Sequence, residues 1–331
     1  MSNSNFSYLS LTPELQLDAL ASIGIYPETG LMQLNSYENR VSVFTDENKV
    51  RYVVKFYRPQ RWSKRQLLEE HEFCLQLKQQ GNLLAEPVTL NNQTLFEFQG
   101  YYFALFKSIS ARSLEHDNID HLYEVGVALG KLHKVGQKST FKTRELLDLN
   151  TFLTIPIEEI KRSELVPEFI REELFNSMDK IEKLTSEILN KHHFKQIRLH
   201  GDCHASNILM DGDTPYFVDF DDCKMGPAIQ DIWLLLSGDT QEQQLQLSTL
   251  IEGYEEEHPF DIQQIKIIEP LRSMRIIHYV SWINKRWSDP AFPLNFPWFT
   301  TDEYWQGLLQ SLMQQITSME AAPLSVQPVY P

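Results

Sequence analysis

The pattern of apolar residues is strand-rich, with a central helix, over the first 107 residues and mostly helical beyond Ser108. At the start, Thr12-Pro13-Glu14 supplies a capping hydroxyl, a proline for the first helical position and an acid for the first turn. Leu15, Ala19 and Ile23 follow at helical spacing, which predicts a short opening helix. From Leu31 to Tyr57 the period shortens to two. Arg40-Val-Ser-Val-Phe44 and Val50-Arg-Tyr-Val-Val-Lys-Phe-Tyr57 flank a polar turn at Asp46-Glu-Asn-Lys49 and predict an antiparallel hairpin. Alternation puts Arg51, Val53 and Lys55 on one face, so Lys55 is a charge among apolar neighbours. Ser63-Lys-Arg-Gln66 is a capping-box pattern that opens a helix running to Gly81-Asn82, and two strands follow at 94–98 and 101–106, parted by Gln99-Gly100.

Beyond Ser108 the period lengthens to that of helices, predicted at 119–135, 167–191, 228–237, 240–257, 262–287 and 301–318, with a compact β island between the second and third. The expected fold is α+β and two-lobed, with a β-rich lobe over 1–107 and a mainly helical lobe over 108–331. A cleft between two such lobes is the usual place for a ligand.

Composition adds exclusions. With 42% apolar and 23% charged residues the chain has ordinary globular usage, so it should fold. A net charge of −15 repels phosphate backbones and anionic headgroups, which argues against nucleic acid and membrane partners. No apolar run reaches membrane-spanning length and the first residues do not form a signal core. Three scattered cysteines make no disulfide framework, so a monomer in the reducing cytoplasm is expected.

The densest polar cluster is Leu199-His-Gly-Asp-Cys-His-Ala-Ser-Asn207, followed after a turn by Pro215-Tyr-Phe-Val-Asp-Phe-Asp-Asp222. The short apolar runs between these acids predict a hairpin that gathers Asp202, Asn207 and Asp219, hard oxygen ligands suited to Mg²⁺. His200, Cys203, His204 and Cys223 invite a zinc site, but they lack a clean Cys-x-x-Cys pair, and the adjoining carboxylates suit magnesium better. Asp211, Asp213 and Asp222 are read as turn acids, Asp221 as structural, and His133 as a core histidine. Gly126-x-x-x-Gly130 predicts close helix packing, and the aromatic stretch 282–298 is either a packed loop or a substrate surface.

His200-Gly-Asp202-x-His204-x-x-Asn207, with Val218-Asp219-Phe-Asp221 a hairpin later, resembles the catalytic segment of the aminoglycoside and choline kinase-like branch of the protein-kinase superfamily. Leu34–Arg40, Val53–Pro59, Glu69-Glu-His71, Gly130–His133, Gly226–Asp231 and Ser288–Trp298 extend the likeness over most of the chain, toward bacterial stress-response kinases within that branch.

The resemblance implies an ATP- and Mg²⁺-dependent phosphotransferase. Asp202 would be the base at the acceptor hydroxyl, and Asn207 and Asp219 would hold magnesium. Lys55 would pair with the α- and β-phosphates and with a helix glutamate, Glu70 or failing that Glu69. His204 would approach the γ-phosphate, and Asp231 would bind catalytic-loop backbone. The adenine edge would meet the 106–109 connector.

There are two departures from the pattern. The phosphate loop would be Asn35-Ser-Tyr-Glu-Asn39, without glycine, where Ser36 supplies a donor, and the eleven residues between Asp219 and Asp231 leave no room for a long activation loop. The acceptors implied are serine and threonine hydroxyls of proteins. The alternatives are small alcohols such as aminoglycosides, choline or homoserine, or a nucleotide-binding scaffold without transfer.

Overall fold

In the computed structural model, which describes residues 10–34, 36 and 38–326, helix α1 (Pro13–Ser22) opens where Thr12 accepts the Leu15 N–H at 3.3 Å. Strands β1 (Met32–Gln33), β2 (Arg40–Thr45), β3 (Arg51–Phe56), β4 (Phe96–Phe98) and β5 (Tyr101–Lys107) form one antiparallel sheet in the order β1-β2-β3-β5-β4. Helix α2 (Lys64–Gln79) lies between β3 and β4 in sequence and starts at the Ser63–Gln66 capping box. Strand alternation divides the sheet. Val54 and Phe56 bury with Leu20, Phe44, Phe103 and Leu105, whereas Val53 and Lys55 face the cleft.

The second lobe follows with β6 (Arg112–Ser113), α3 (Ile119–Gly136), α4 (Ile155–Lys161), α5 (Arg171–Lys191), β7 (Ile197–Leu199), β8 (Ile208–Asp211), β9 (Thr214–Phe217) and β10 (Lys224–Gly226). It closes with α6 (Ile229–Trp233), α7 (Thr240–Glu255), α8 (Ile268–Lys285), α9 (Ala291–Asn295) and α10 (Asp302–Glu320). The β island is a three-stranded sheet, β6-β8-β9, beside the β7–β10 pair. Helices α3 and α7 pack backbone to backbone. A Cβ on Gly126 would stand 2.3 Å from the Leu250 carbonyl oxygen, and one on Gly253 would stand 2.1 Å from that of Tyr123.

Three helical stretches differ from expectation. α4, with the π turn Asn150–Thr154 before it, lies where the sequence pattern predicts no helix; Pro156 sits in its first turn, where its missing N–H is not needed. The stretch from 262 divides into a 3₁₀ segment, Ile262–Ile267, and α8, with Pro270 again in a first turn. The expected 228–237 helix is only the five residues of α6. The aromatic stretch is packed, with Trp282 edge-on to Phe292 and Phe296 at 5.0 and 5.7 Å, yet Trp282 also lines the cleft. Among the described residues no helix is long and apolar enough to cross a membrane.

Candidate active site

The loop between β7 and β8 carries Asp202 and is held from beneath by a buried carboxylate. Asp231 accepts the N–H groups of His200 and Gly201, both at 2.8 Å, and meets His133 Nε2 at 3.1 Å. The other His133 nitrogen lies 3.1 Å from the Tyr254 hydroxyl, so this histidine is a link in the loop's support. Gly201 has a φ of +86°, and a Cβ there would stand 2.2 Å from the Asp222 carbonyl oxygen, so only glycine fits. His200 Nε2 lies 2.8 Å from the Val218 carbonyl. A carbonyl only accepts, so Nε2 carries the proton and ties the loop to the residue before Asp219.

Asp202 Oδ1 accepts from Arg275 Nη1 at 2.7 Å, and Oδ2 lies 3.4 Å from His204 Nε2. Asn207 Nδ2 donates to the Asp202 carbonyl at 3.0 Å, and the Asn207 carbonyl accepts the Val218 N–H at 3.0 Å. Asp202, His204, Asn207 and the approach to Asp219 are thus one hydrogen-bonded unit. Burial disfavours the Asp202 carboxylate, but the His204 hydrogen bond and the Arg275 guanidinium outweigh it and hold its pKa at about 2. A depressed pKa stabilises the fold above the ordinary value of 3.8, and that contribution is lost as pH falls toward 2. The stability advantage of the parent over Asp202→Asn should therefore shrink as pH drops below about 4, measured by denaturant unfolding at a series of pH values.

Asp219 follows β9 in the left-handed conformation, φ 62°, which aspartate tolerates better than most residues. Its Oδ1 accepts from Lys55 Nζ at 2.6 Å, and its side chain is 51% exposed, open to the cleft. Lys55 is almost fully buried between its register partners Val41 and Ala104. Burial disfavours its charge, but Asp219, Asp221 and Glu70 more than compensate and raise its pKa.

The expected Lys55–Glu70 ion pair is not the one formed. Lys55 pairs with Asp219 and, at 3.3 Å, with Asp221, whereas Glu70 accepts from Arg144 Nη2 at 2.7 Å. The reason is local supply of charge: two carboxylates stand next to the ammonium, and a fully buried guanidinium needs one of its own. Glu70 still lines the cleft and contributes to the field at Lys55. Glu69 points elsewhere and accepts the backbone N–H groups of Lys142, Thr143 and Arg144 at 2.8 to 3.0 Å.

Arg144 also donates to the Gln66 and Asp221 carbonyls and stacks over Trp62 at 4.5 Å, clamping α2 to the segment after Asp219. Arg144→Met should destabilise the fold by about 3 kcal/mol, the scale of breaking a buried ion pair. The loss should be smaller at low pH, where Glu70, which burial pushes up to about 7, takes a proton instead; equilibrium unfolding at two pH values checks this.

Asp221 and Asp222 have definite partners. Asp221 is buried and accepts from Asn39 Nδ2 at 3.1 Å and Arg61 Nη1 at 2.5 Å, in keeping with its structural reading. Asp222, read as a turn acid, instead takes Arg61 Nη2 at 2.8 and 3.0 Å, because Arg61 reaches down from the loop after β3. Ser36 lies on the cleft, where its Oγ accepts the Asn39 N–H at 3.3 Å; Asn35 and Tyr37 of the same loop lie outside the described residues.

Between the lobes is a cavity of about 760 Å³. Its lining combines apolar side chains, among them Val41, Val43, Ala85, Phe106, Leu209 and Val218, with the polar and charged Lys55, Asp202, Asn207 and Asp219. Among the described residues no three histidine, cysteine, aspartate or glutamate side chains converge as a metal site. The half-exposed carboxylate of Asp219 beside the Asn207 amide fits a hard cation that takes its remaining ligands from phosphate and water.

Residues 30–267 match the model of the phosphotransferase enzyme family. The chain belongs to this family. The phosphotransferase is 46% identical over 331 residues to stress response kinase A of Escherichia coli K12, covering all of both chains. It is 45% identical over 330 residues to the serine/threonine protein kinase RdoA of Salmonella typhimurium, again with full coverage. Among solved structures it resembles amicoumacin kinase hAmiN in complex with AMP-PNP and Ca²⁺, with TM-score 0.72, 18% identity and 94% of each chain covered. It also resembles spectinomycin phosphotransferase with bound ADP, with TM-score 0.65, 14% identity, and 94% and 99% covered. The likeness to these two carries the kinase-like fold.

Three arginines that the sequence reading does not single out, Arg61, Arg144 and Arg275, pair with acids around the cleft, and Asn39 and Glu38 of the 34–40 segment take partners there. Glu38 accepts from Trp282 and Arg286, both at 2.9 Å, and so joins the phosphate-loop segment to α8 and the residue beyond it. Trp282→Phe should loosen this inter-lobe tie and raise the KM for ATP several-fold with little change in melting temperature, measured by steady-state kinetics and calorimetry.

Proposed function

We propose that the chain is an ATP- and Mg²⁺-dependent serine/threonine protein kinase. The observation that carries this reading is the convergence of Lys55, Asp202, Asn207 and Asp219 on one cleft that also has apolar walls. Adenine lies against the apolar walls with its edge toward the 106–109 connector. The Ser108 N–H is already given to the Arg51 carbonyl at 3.0 Å, so the Ile109 N–H is the donor left for the base. The phosphates run toward Ser36 and Lys55, and Lys55 exchanges part of its pairing with Asp219 for phosphate oxygens. Asn207 and Asp219 hold magnesium, which neutralises phosphate charge. His204 stands beside Asp202 near the γ-phosphate. Asp202, kept ionised by Arg275 and His204, orients the acceptor hydroxyl and takes its proton late in the transfer. Little covalent work falls to the protein, because phosphoryl transfer depends on positioning and charge stabilisation.

A protein acceptor is supported by the full-length relative named as a serine/threonine protein kinase. The small-alcohol reading draws on neighbours at 14 to 18% identity, where only the fold is shared. The test is purified protein with labelled ATP and Mg²⁺, incubated alone, with a generic protein, and with a panel of amino alcohols. Label on serine or threonine of protein is expected. Label on an amino alcohol alone would replace this reading with the small-molecule one, and no metal-dependent transfer would leave a nucleotide-binding scaffold.

A further inference from the structure

Past Asp202 the cleft continues into a second cavity of about 360 Å³, lined among others by Phe152, Lys224, Met274, Arg275, His278 and Trp282. It shares Asp202 and His204 with the nucleotide cavity, so it is where an acceptor hydroxyl meets the base if Asp202 acts as proposed above.

The charges there are unequally matched. Three carboxylates line the cavity, and each already has cationic or N–H partners within the protein. Asp222 takes two hydrogen bonds from Arg61, Asp202 takes Arg275, and Glu38 takes Arg286 and the Trp282 indole. A polyamine would have to displace one of these pairs. The cations are the less satisfied side. Lys224, on β10, is only 9% exposed; its Nζ lies 4.9 Å from the Phe152 ring centre, and among the described residues it makes no hydrogen bond or close ion pair. Arg275, 44% exposed, gives one N–H to Asp202 and keeps the rest of its donors for other use. Burial, helped by Lys224, Lys285 and Arg275, holds His278 below its ordinary value at about 4, so that ring adds no positive charge at neutral pH. The stem of Lys224 is buried, Asp222 offsets part of its charge, and its ammonium opens onto a cavity that can hold an acceptor.

The geometry points to a carboxylate-accepting subsite: the acceptor is a serine or threonine with an acidic neighbour, whose carboxylate is taken by Lys224 and Arg275 while its hydroxyl meets Asp202. Arg275 keeps one N–H on Asp202 Oδ1, which holds the base ionised, and offers its remaining donors to the substrate carboxylate. The reaction balance is that of any kinase. The hydroxyl oxygen bonds to the γ-phosphorus, the bond to ADP breaks, and the proton passes to Asp202.

The test uses serine peptides that differ only in one residue beside the acceptor, Glu, Gln or Lys, placed at each neighbouring position in turn. They are assayed with the full chain and Mg·ATP, alongside homoserine, choline and kanamycin. The Glu peptide should exceed the Gln peptide in kcat/KM on the order of tenfold at one position, the scale of one charge-assisted hydrogen bond, with the Lys peptide slowest. Lys224→Met should bring the Glu/Gln ratio toward unity and Lys224→Arg should restore it; inactive protein cancels in a ratio. Equal Glu and Gln rates, or a preference for Lys, overturn the subsite and leave the protein-kinase reading standing. Transfer to homoserine but to no peptide removes the protein reading and keeps the subsite, whereas transfer to choline or kanamycin alone removes both. Calorimetric binding of the same Glu and Gln peptides with alanine at the acceptor position repeats the comparison without turnover, and equal affinities overturn the subsite.

Discussion

Asp202→Asn is expected to lower phosphate transfer by ~10² or more while Mg·ATP affinity stays within a few-fold, the pattern of a lost general base. Asparagine keeps the size and one oxygen, so the loop supports at His200, Gly201 and Asn207, which do not use the Asp202 carboxylate, remain. The change removes the ionic part of the contacts to Arg275 and His204, so a modest fall in melting temperature accompanies the catalytic loss. The two effects separate by magnitude, since a purely structural Asp202 would lose stability and activity in proportion. Turnover, nucleotide affinity and melting temperature on one preparation decide it. Near-normal transfer in a well-folded variant would end the assignment of Asp202 as base.

Asp219→Ala should abolish metal-dependent nucleotide binding while leaving the fold in place. The carboxylate is half exposed and contributes little packing. Its Lys55 partner keeps Asp221 at 3.3 Å and the field of Glu70, so the buried ammonium is not stranded. Alanine adds a backbone cost, on the order of 1 kcal/mol, because the position is left-handed at φ 62°. Asp219→Asn avoids that cost and isolates the charge. Both variants should lose the gain in ATP affinity that Mg²⁺ confers, read by calorimetry with and without the metal. Undiminished Mg·ATP affinity in Asp219→Asn would remove Asp219 from the metal site.

Much of this protein was legible in one dimension because its signals are local. A capping box, a period of two and a period near four each depend on residues within a turn or a strand pair, which is why α1, α2 and the β2–β3 hairpin lie where the pattern puts them. The Asp202–Asn207 spacing and the short strands between Asn207 and Asp219 likewise bring these three residues to one cleft, because a tight loop and a hairpin leave them little choice. The helix Ile155–Lys161 has no such local signal, since it is short and carries Pro156 in its first turn.

What only the tertiary structure decided is which charge faces which. Lys55, Glu70, Arg144, Asp221 and Arg61 are scattered from residue 55 to residue 221, and their pairing follows from how α2 and the 141–147 segment pack against the chain after Asp219. Glu69 and Glu70 are adjacent, yet one caps a loop and the other pairs with a buried guanidinium, because neighbouring residues on a helix point about 100° apart. Arg275 on Asp202 and Lys224 over the Phe152 ring are likewise long-range outcomes of β10 and α8 meeting at the 200–207 loop. Local sequence therefore determined most of the elements and the residues gathered at the cleft. The buried charges were matched only when the lobes closed, because an ion in a low-dielectric interior takes the counter-charge that packing brings to it, at any distance along the chain.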